Sequence, residues 1–360
     1  MKVTLFISAL SGGGAERVTC NLANYLANAG HSVEILTMGE RAAAEPLAAG
    51  VKEITLLPER ERGNALLNNV KRILRLRRYM KRKQVDAYVV MLPIPTRLML
   101  RFSGLTKAPI VMSERVDPTT YSEKTKKDLR RLVSKAHGVV FQTAEAQSWY
   151  APYLKGAEGK IIPNAINPAF IRPPYIGERE KVIVGAGRLS EQKNFPLLIR
   201  SFAKIAPKYP DYKLVIYGQG GLLNSLKSLA AELGVGERVE FPGYVSNMPE
   251  RLEKASMFVL SSDFEGMPNA LMEAMASGLP CVSTDCGGGG ARFLIKNGEN
   301  GILVPIKDED AMATAMERVL SDPALAATLG ENARGLQETL APEKIYGEWE
   351  SFIQNICKGK

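Results

Sequence analysis

The sequence predicts an α/β protein made of two doubly wound domains, each built on a parallel sheet. Three observations lead there. The chain has 360 residues, and at about 150 residues per domain that is room for roughly two cores. Short apolar runs alternate with helix-length amphipathic stretches throughout, the pattern of β-α-β units rather than of sandwiches or bundles. Near the middle the alternation is broken by Ile162-Pro163-Asn164-Ala165-Ile166-Asn167-Pro168 and then Pro173-Pro174, which reads as a linker.

In the first domain, 1–168, strands are expected over 3–9, 33–38, 87–92, 110–113 and 138–142. In the second, 169–342, they are expected over 182–185, 213–217, 239–241, 257–261 and 280–284. Helical periodicity fills 15–29, 196–209, 222–233 and 267–276, and a last helix within 343–360 is able to cross back to the first domain. Ligands of such sheets bind beyond the carboxyl ends of the strands, so a central cleft between the domains is the expected site.

Composition narrows the class. With 45% hydrophobic and 24% charged residues the chain is neither disordered nor collagen-like. No apolar run approaches the ~20 residues that span a bilayer. The start, Met1-Lys2-Val3-Thr4-Leu5-Phe6-Ile7, reads as a first strand rather than a signal peptide. Four scattered cysteines without CxxC spacing suggest reduced thiols, and two histidines exclude a multi-histidine metal site. Up to Phe170 there are 26 Lys and Arg against 14 Asp and Glu, net +12; the remainder has 21 against 24, net −3. The first half is therefore expected to meet something anionic.

Three motifs carry chemistry. Ser11-Gly12-Gly13-Gly14-Ala15-Glu16-Arg17 joins the first strand to the first helix, where glycines admit a ligand to the backbone and the helix start offers N–H groups. Arg17 stands where a dinucleotide fingerprint needs its third glycine, so the turn is either a phosphate or sugar site or simply a tight connection. Gly187-Arg188-Leu189-Ser190-Glu191-Gln192-Lys193-Asn194 follows the first strand of domain two and places two cations where a diphosphate can lie; taken alone it is equally a solvated turn. Glu265-Gly266-Met267-Pro268-Asn269-Ala270-Leu271-Met272-Glu273 leads from a strand into a helix, with one carboxylate in the loop and another about two turns in. Alone, that pair is a helix cap and a solvated glutamate.

Together, in this order and spacing, with Gly278-Leu279-Pro280 and the Ile162-Pro163-Asn164 linker, these motifs resemble the retaining glycosyltransferases of family 4 over nearly the whole chain. The resemblance implies a GT-B fold, with acceptor on the first domain and nucleotide sugar on the second. It implies that Arg188 and Lys193 hold the donor diphosphate and stabilise the leaving group without a metal or other cofactor, as charge developing there requires. Glu265 would bind hexose hydroxyls and Glu273 the ribose. Gly187 and the stretch Gly266, Met267, Pro268, Asn269 and Ala270 would contact sugar and phosphates. The base would lie near Gly218-Gln219-Gly220 and Gly243-Tyr244-Val245, and Gly13 or Gly14 would close over the phosphates. One departure stands out: where many members carry histidine after Ser-Glu, this chain reads Ser113-Glu114-Arg115. Arginine is no general base at neutral pH, but it can hold a donor or acceptor anion.

Residues 64–85 contain no acid and eight cations, among them Lys71, Arg75, Arg78 and Arg82 on one stripe. Leu66, Leu67, Val70, Ile73, Leu74 and Met80 recur there at helical spacing. A second basic stretch holds Lys124, Lys126, Lys127, Arg130, Arg131 and Lys135. Like charges three or four apart destabilise a helix, which favours an anion-binding use: phospholipid headgroups or the diphosphate of a lipid-linked acceptor. The position resembles the basic acceptor-binding helix of bacterial transferases that extend lipid-linked oligosaccharides with N-acetylhexosamine. Nucleic acid fits the charge, but no binding module is present.

The expected protein is thus a cytoplasmic transferase held peripherally on the inner face of the cell membrane. It would move a hexose or N-acetylhexosamine from a UDP-sugar to a polyprenyl-diphosphate-linked glycan. Two other readings share these features. A nucleotide-sugar epimerase would interconvert a UDP-sugar without acceptor, and a non-catalytic binder would bind anionic vesicles without affinity for UDP-sugars.

Overall fold

The computed structural model describes residues 1–10, 13–39 and 46–359. The chain divides into two units, Met1–Ala165 with Glu343–Lys360, and Ile166–Pro342.

Among the described residues unit 1 holds seven parallel strands: β1 (Lys2–Ile7), β2 (Ser32–Thr37), β3 (Val51–Thr55), β4 (Ala87–Met91), β5 (Ile110–Ser113), β6 (Gly138–Phe141) and β7 (Glu158–Ile161), ordered β3-β2-β1-β4-β5-β6-β7. Between them run α1 (Gly14–Asn28), α2 (Ala65–Arg82), α3 (Pro93–Arg101), α4 (Glu123–Leu132) and α5 (Ala144–Tyr150). The central strands read as unbroken apolar runs because both faces are covered; every residue of β4 is fully buried.

Unit 2 repeats the design with β8 (Val182–Ala186), β9 (Lys213–Tyr217), β10 (Val239–Gly243), β11 (Met257–Leu260), β12 (Cys281–Thr284) and β13 (Ile302–Val304), ordered β10-β9-β8-β11-β12-β13. Its helices are α6 (Phe195–Ile205), α7 (Leu223–Glu232), α8 (Met248–Lys254), α9 (Asn269–Ala276), α10 (Gly290–Leu294), α11 (Glu309–Ser321), α12 (Pro323–Ala333) and α13 (Leu336–Thr339). The final helix, α14 (Pro342–Lys358), packs on unit 1's sheet. There a Cβ on Gly138 would lie 2.9 Å from Phe352.

Strand order reverses between β1 and β4 in unit 1 and between β8 and β11 in unit 2. These are the switch points where the loops part and a ligand can enter. Right-handed crossovers then put α2 to α5 on one face of unit 1's sheet and α1 on the other. The α14 helix shares the α1 face, with the Tyr25 and Tyr346 rings 5.7 Å apart.

The structure differs from the sequence expectation at the sheet edges. Strands β3, β7 and β13 lie outside the predicted set; VKEIT and EGKI are half polar, and β13 has only three residues. Edge strands bury one side at most, so their alternation is weak. Pro268 sits just before α9 as its N-cap rather than inside the first turn. The Ile162-to-Ile166 segment is buried rather than exposed: Ile162 donates its N–H to Phe141 and Ile166 to Leu340. Cys20, Cys281 and Cys286 are buried, and none of them is in a disulfide. Burial, reinforced by the Glu265 carboxylate, pushes the Cys286 thiol up to about 12. No helix among the described residues is long and apolar enough to cross a membrane.

Candidate functional site

The loops after β8 and β11 flank unit 2's switch point, and they bring together residues some seventy positions apart. Lys193 Nζ lies 2.6 Å from Glu265 Oε1, an ion pair whose side chains are 15% and 10% exposed. Ser262 Oγ donates to the same Glu265 oxygen at 2.8 Å, and Gln192 Nε2 approaches the other at 3.3 Å. Gln192 also donates to the Phe264 carbonyl at 2.9 Å. Asn194, in the left-handed region at φ 43°, caps α6 and donates to Asp263 at 2.8 Å. Backbone bonds complete the brace: Asp263 donates to the Gln192 carbonyl at 2.9 Å, and Ser261 Oγ to that of Lys193 at 2.8 Å. Hence the Lys193 ammonium and Glu265 carboxylate are fixed in place before any ligand arrives. Arg188, on the same loop as Lys193, is exposed and makes no side-chain hydrogen bond among the described residues. One cation is braced and the other is exposed to solvent.

Glycines allow the three loops after β8, β9 and β10 to touch. Gly187 donates to the Tyr217 carbonyl, and Gly218 to that of Gly243, both at 2.9 Å. Gly218 has φ +135°, and a Cβ there would stand 1.9 Å from the Gly187 oxygen. Tyr244 is 79% exposed at the rim of these loops. Val245 lies with Val215, Tyr217 and Arg251 along a separate cavity of about 410 Å³ against β9 and β10.

The Glu265 loop leads to α9. Gly266 is half-buried, Met267 and Pro268 are buried, and Asn269 and Ala270 open the helix, which has no side-chain cap. A helix start of this kind leaves its first N–H groups without intrahelical partners. Glu273 is one turn further and 8% exposed. A component the motif reading missed is the run Gly287-Gly288-Gly289-Gly290. Glu265 donates its N–H to the Gly287 carbonyl at 2.9 Å, and Gly287 returns one to Asp263 at 3.2 Å. A Cβ on Gly290 would lie 1.8 Å from the Gly266 oxygen. Four consecutive glycines after a strand were the available signal.

In unit 1, Ser11 and Gly12 lie outside the described residues. Gly13 is the N-cap of α1, and its N–H is held by the Glu16 carboxylate of the same turn, so the helix start at Gly13 and Gly14 is capped from within. The Ser113-Glu114-Arg115 stretch emerges at the carboxyl end of β5. Glu114 is buried and accepts from the hydroxyls of Tyr121 and Tyr150, each at 2.6 Å, and from the N–H groups of Arg115 and Val116. Burial nonetheless raises its carboxyl above the ordinary range. Arg115 points to the opposite face. It is 7% exposed, stands 5.8 Å from the Trp349 ring of α14, and none of its three guanidinium nitrogens has a hydrogen-bond partner among the described residues. Burial pushes this guanidinium down to about 10, which leaves it charged at neutral pH.

The basic helix is α2, and its stripe divides. Lys71 donates to the Glu61 carbonyl at 2.9 Å, while Arg75 bonds the Leu56 carbonyl and the Glu61 carboxylate. These two expected anion ligands fasten the helix to the preceding loop instead, because acids outside the helix (Glu61, and Glu34 for Lys83) answer the charge. Arg78 and Arg82 remain exposed. The apolar periodicity also faces the unexpected way: Leu66, Leu67, Val70 and Leu74 are 74, 53, 45 and 57% exposed, and only Leu76 and Met80 are buried.

Comparison with known proteins fits this geometry. Residues 12–170 match the family described as Glycosyltransferase Family 4, and residues 168–336 match Glycosyl transferases group 1. The two matches together span residues 12–336, and the fold is GT-B, two Rossmann-like parallel-sheet domains. The chain is 27% identical over 362 residues to a Campylobacter jejuni alpha-1,4-N-acetyl-D-galactosaminyltransferase whose name specifies an undecaprenol-diphosphate-linked acceptor, covering 99% of each chain. It is 34% identical over 221 residues to an exopolysaccharide phosphotransferase of Streptomyces coelicolor; that match covers 61% of this chain and 23% of the relative, less than a quarter of its length. The crystal structure of Anabaena HepE in complex with UDP matches with a TM-score of 0.81 at 17% identity, covering 99% of this chain and 100% of that one.

Proposed function

We propose that this protein is a retaining transferase of family 4 that moves a hexose or N-acetylhexosamine from a UDP-sugar to a lipid-linked diphosphate glycan. The observation that carries this reading is the braced Lys193–Glu265 pair at unit 2's switch point, with Arg188 exposed on the same loop. As the bond between the sugar's anomeric carbon and the diphosphate breaks, negative charge gathers on the departing phosphate. Lys193 and Arg188 meet that charge in a site already organised for it. In this reading Glu265 accepts from hexose hydroxyls, and Glu273 from the ribose. The acceptor hydroxyl enters on the face the diphosphate leaves, and its proton passes to the leaving phosphate, so no side-chain base is required. Arg115 holds an acceptor or donor phosphoryl oxygen in this scheme, consistent with a buried guanidinium that lacks a partner. The lipid-linked acceptor is supported by the name of the Campylobacter relative.

Because the two cations carry the leaving-group charge in this reading, transfer is expected to persist in EDTA. The direct test is calorimetric binding of a panel of nucleotides and nucleotide sugars with EDTA present. Tight binding of UDP and one UDP-sugar supports the reading; a folded protein that binds no nucleotide refutes it.

Peripheral attachment to the inner face of the membrane belongs to the same proposal. On α2 the exposed leucines and valine occupy the first half of one face, and Arg77, Arg78, Lys81 and Arg82 the second half. An apolar patch beside cations suits the boundary between acyl chains and headgroups. Replacing Leu67 and Leu74 by Asp should lower vesicle partitioning at least tenfold, since each side chain buried in lipid contributes about 1.5 kcal/mol or more. Unfolding free energy should move by less than about 0.5 kcal/mol per site, because both side chains are exposed. Urea unfolding and vesicle sedimentation measure the two.

A further inference from the structure

The second basic stretch forms a defined pocket on α4 of unit 1. A cavity of about 560 Å³ is lined by Glu123, Lys124, Lys127, Arg130, Arg131 and Tyr153. Lys124, Lys127 and Arg131 follow one another at three- and four-residue steps and are exposed along one helix face. Arg130 differs from them. Its guanidinium lies 4.7 Å from the Trp149 ring centroid and 5.4 Å from that of Tyr153, rings contributed by α5 and the 3₁₀ turn Ala151–Tyr153. Its Nε is buried without a hydrogen-bond partner among the described residues. A guanidinium packed against two adjoining rings, whose centroids are 6.1 Å apart, has restricted freedom before it binds, and its remaining N–H groups present a fork suited to phosphate oxygens.

The nearby acids are already engaged. Glu123 pairs with Lys126 at 2.9 Å, and Asp128 bonds Arg97, with Arg131 more distant at 3.7 Å. Lys124, Lys127 and Arg130 have no ion-pair partner among the described residues. The pocket thus combines three cations without an ion-pair partner among the described residues, one of them packed on two rings, with the Glu123 carboxylate also in its lining.

We propose that this α4–α5 pocket binds the phosphate of an anionic phospholipid headgroup, so that unit 1 reads the charge of the bilayer as well as its apolar interior. The bilayer, rather than a free phosphate, is favoured by position: α4 lies in the same helical layer as α2, whose exposed leucines need an apolar medium to cover them. This rests on the reading of the protein as a membrane-surface transferase, and it adds a second, headgroup-selective site to that reading.

The test is sedimentation of the full chain with phosphatidylcholine vesicles, with and without phosphatidylglycerol. Wild type should bind the anionic vesicles far more tightly. Each cation near such a surface contributes about fivefold to partitioning, so Lys124→Gln, Lys127→Gln and Arg131→Gln together should weaken it about a hundredfold. Arg130→Lys keeps the charge but loses the stacked fork, and should weaken binding several-fold with its melting temperature unchanged. Soluble short-chain phosphatidylglycerol should compete for the protein, and inorganic phosphate at equal concentration should not. Equal binding of Arg130→Lys and wild type, or equal competition by inorganic phosphate, overturns the pocket. Release from vesicles by an oligonucleotide at lower concentration than the soluble lipid also overturns it. None of these measurements involves a sugar donor, so failure here leaves the transferase reading standing, and failure of donor binding leaves this site standing.

Discussion

Lys193→Ala should lower transfer turnover by about 10²–10³-fold, the range seen when one positioned stabiliser of transition-state charge is removed. The substitution also strands Glu265, a carboxylate 10% exposed that retains only Ser262 and Gln192 as side-chain partners. Breaking a fully buried pair costs about 3–5 kcal/mol. With those two donors left and the site partly open, about 1–3 kcal/mol is expected. Stability and rate can be separated. Adding Glu265→Gln to Lys193→Ala removes the stranded charge and should restore the unfolding midpoint while the rate stays low. Turnover and urea denaturation of both variants decide the matter: if rate returns together with stability, Lys193 is a structural brace and not a stabiliser of the leaving group.

The second large effect is on stability. Gly218→Ala places a methyl group 1.9 Å from the Gly187 carbonyl oxygen, at a backbone position with φ +135°. Overpacking costs about 1–3 kcal/mol, and a side chain in that backbone region about 1–3 more. The neighbour is backbone held by its own bond to Tyr217, so it has little room to yield. We expect a loss of about 3–5 kcal/mol, read as a lower urea midpoint, together with weakened UDP binding. Gly221→Ala is the control, since a Cβ there meets nothing within 4 Å. If Gly218→Ala unfolds at the midpoint of Gly221→Ala, the close contact between the loops after β8 and β9 is not a constraint on the fold.

Much of this was legible in the residues. The ten predicted strands all occur, because a run such as Ala87–Met91 is apolar at every position only when both sheet faces are covered. Of the four edge strands, β3, β7 and β13 escaped because they have little to bury, and only β10 was anticipated. The candidate loops after β8 and β11 were legible too. A glycine, two cations and a carboxylate after the right strands are local features, and in a parallel sheet every strand end falls on the same edge.

Pairing was not legible. Nothing local says that Lys193 meets Glu265, or that Gly218 must touch Gly187; both follow from the order β9-β8-β11. Nor did the α2 pattern reveal its direction. Leucines at helical spacing normally face a core, but here the sheet takes Leu76 and Met80 and leaves Leu66, Leu67, Val70 and Leu74 in solvent. The same holds for charge: Lys71 and Arg75 sit on the predicted stripe, yet they are drawn to Glu61 and nearby carbonyls. Arg115 could be named from its neighbours Ser113 and Glu114, but its burial against Trp349 required a helix more than two hundred positions away.

The sequence by itself therefore determined the two Rossmann-like sheets and which strand ends carry the candidate motifs, because periodicity and turn chemistry act over a few residues. Tertiary structure decided which charges are paired, which glycines are indispensable and which apolar face stays uncovered. Those outcomes depend on strand order and helix layering, which bring distant segments within a few ångströms and which no short-range pattern encodes.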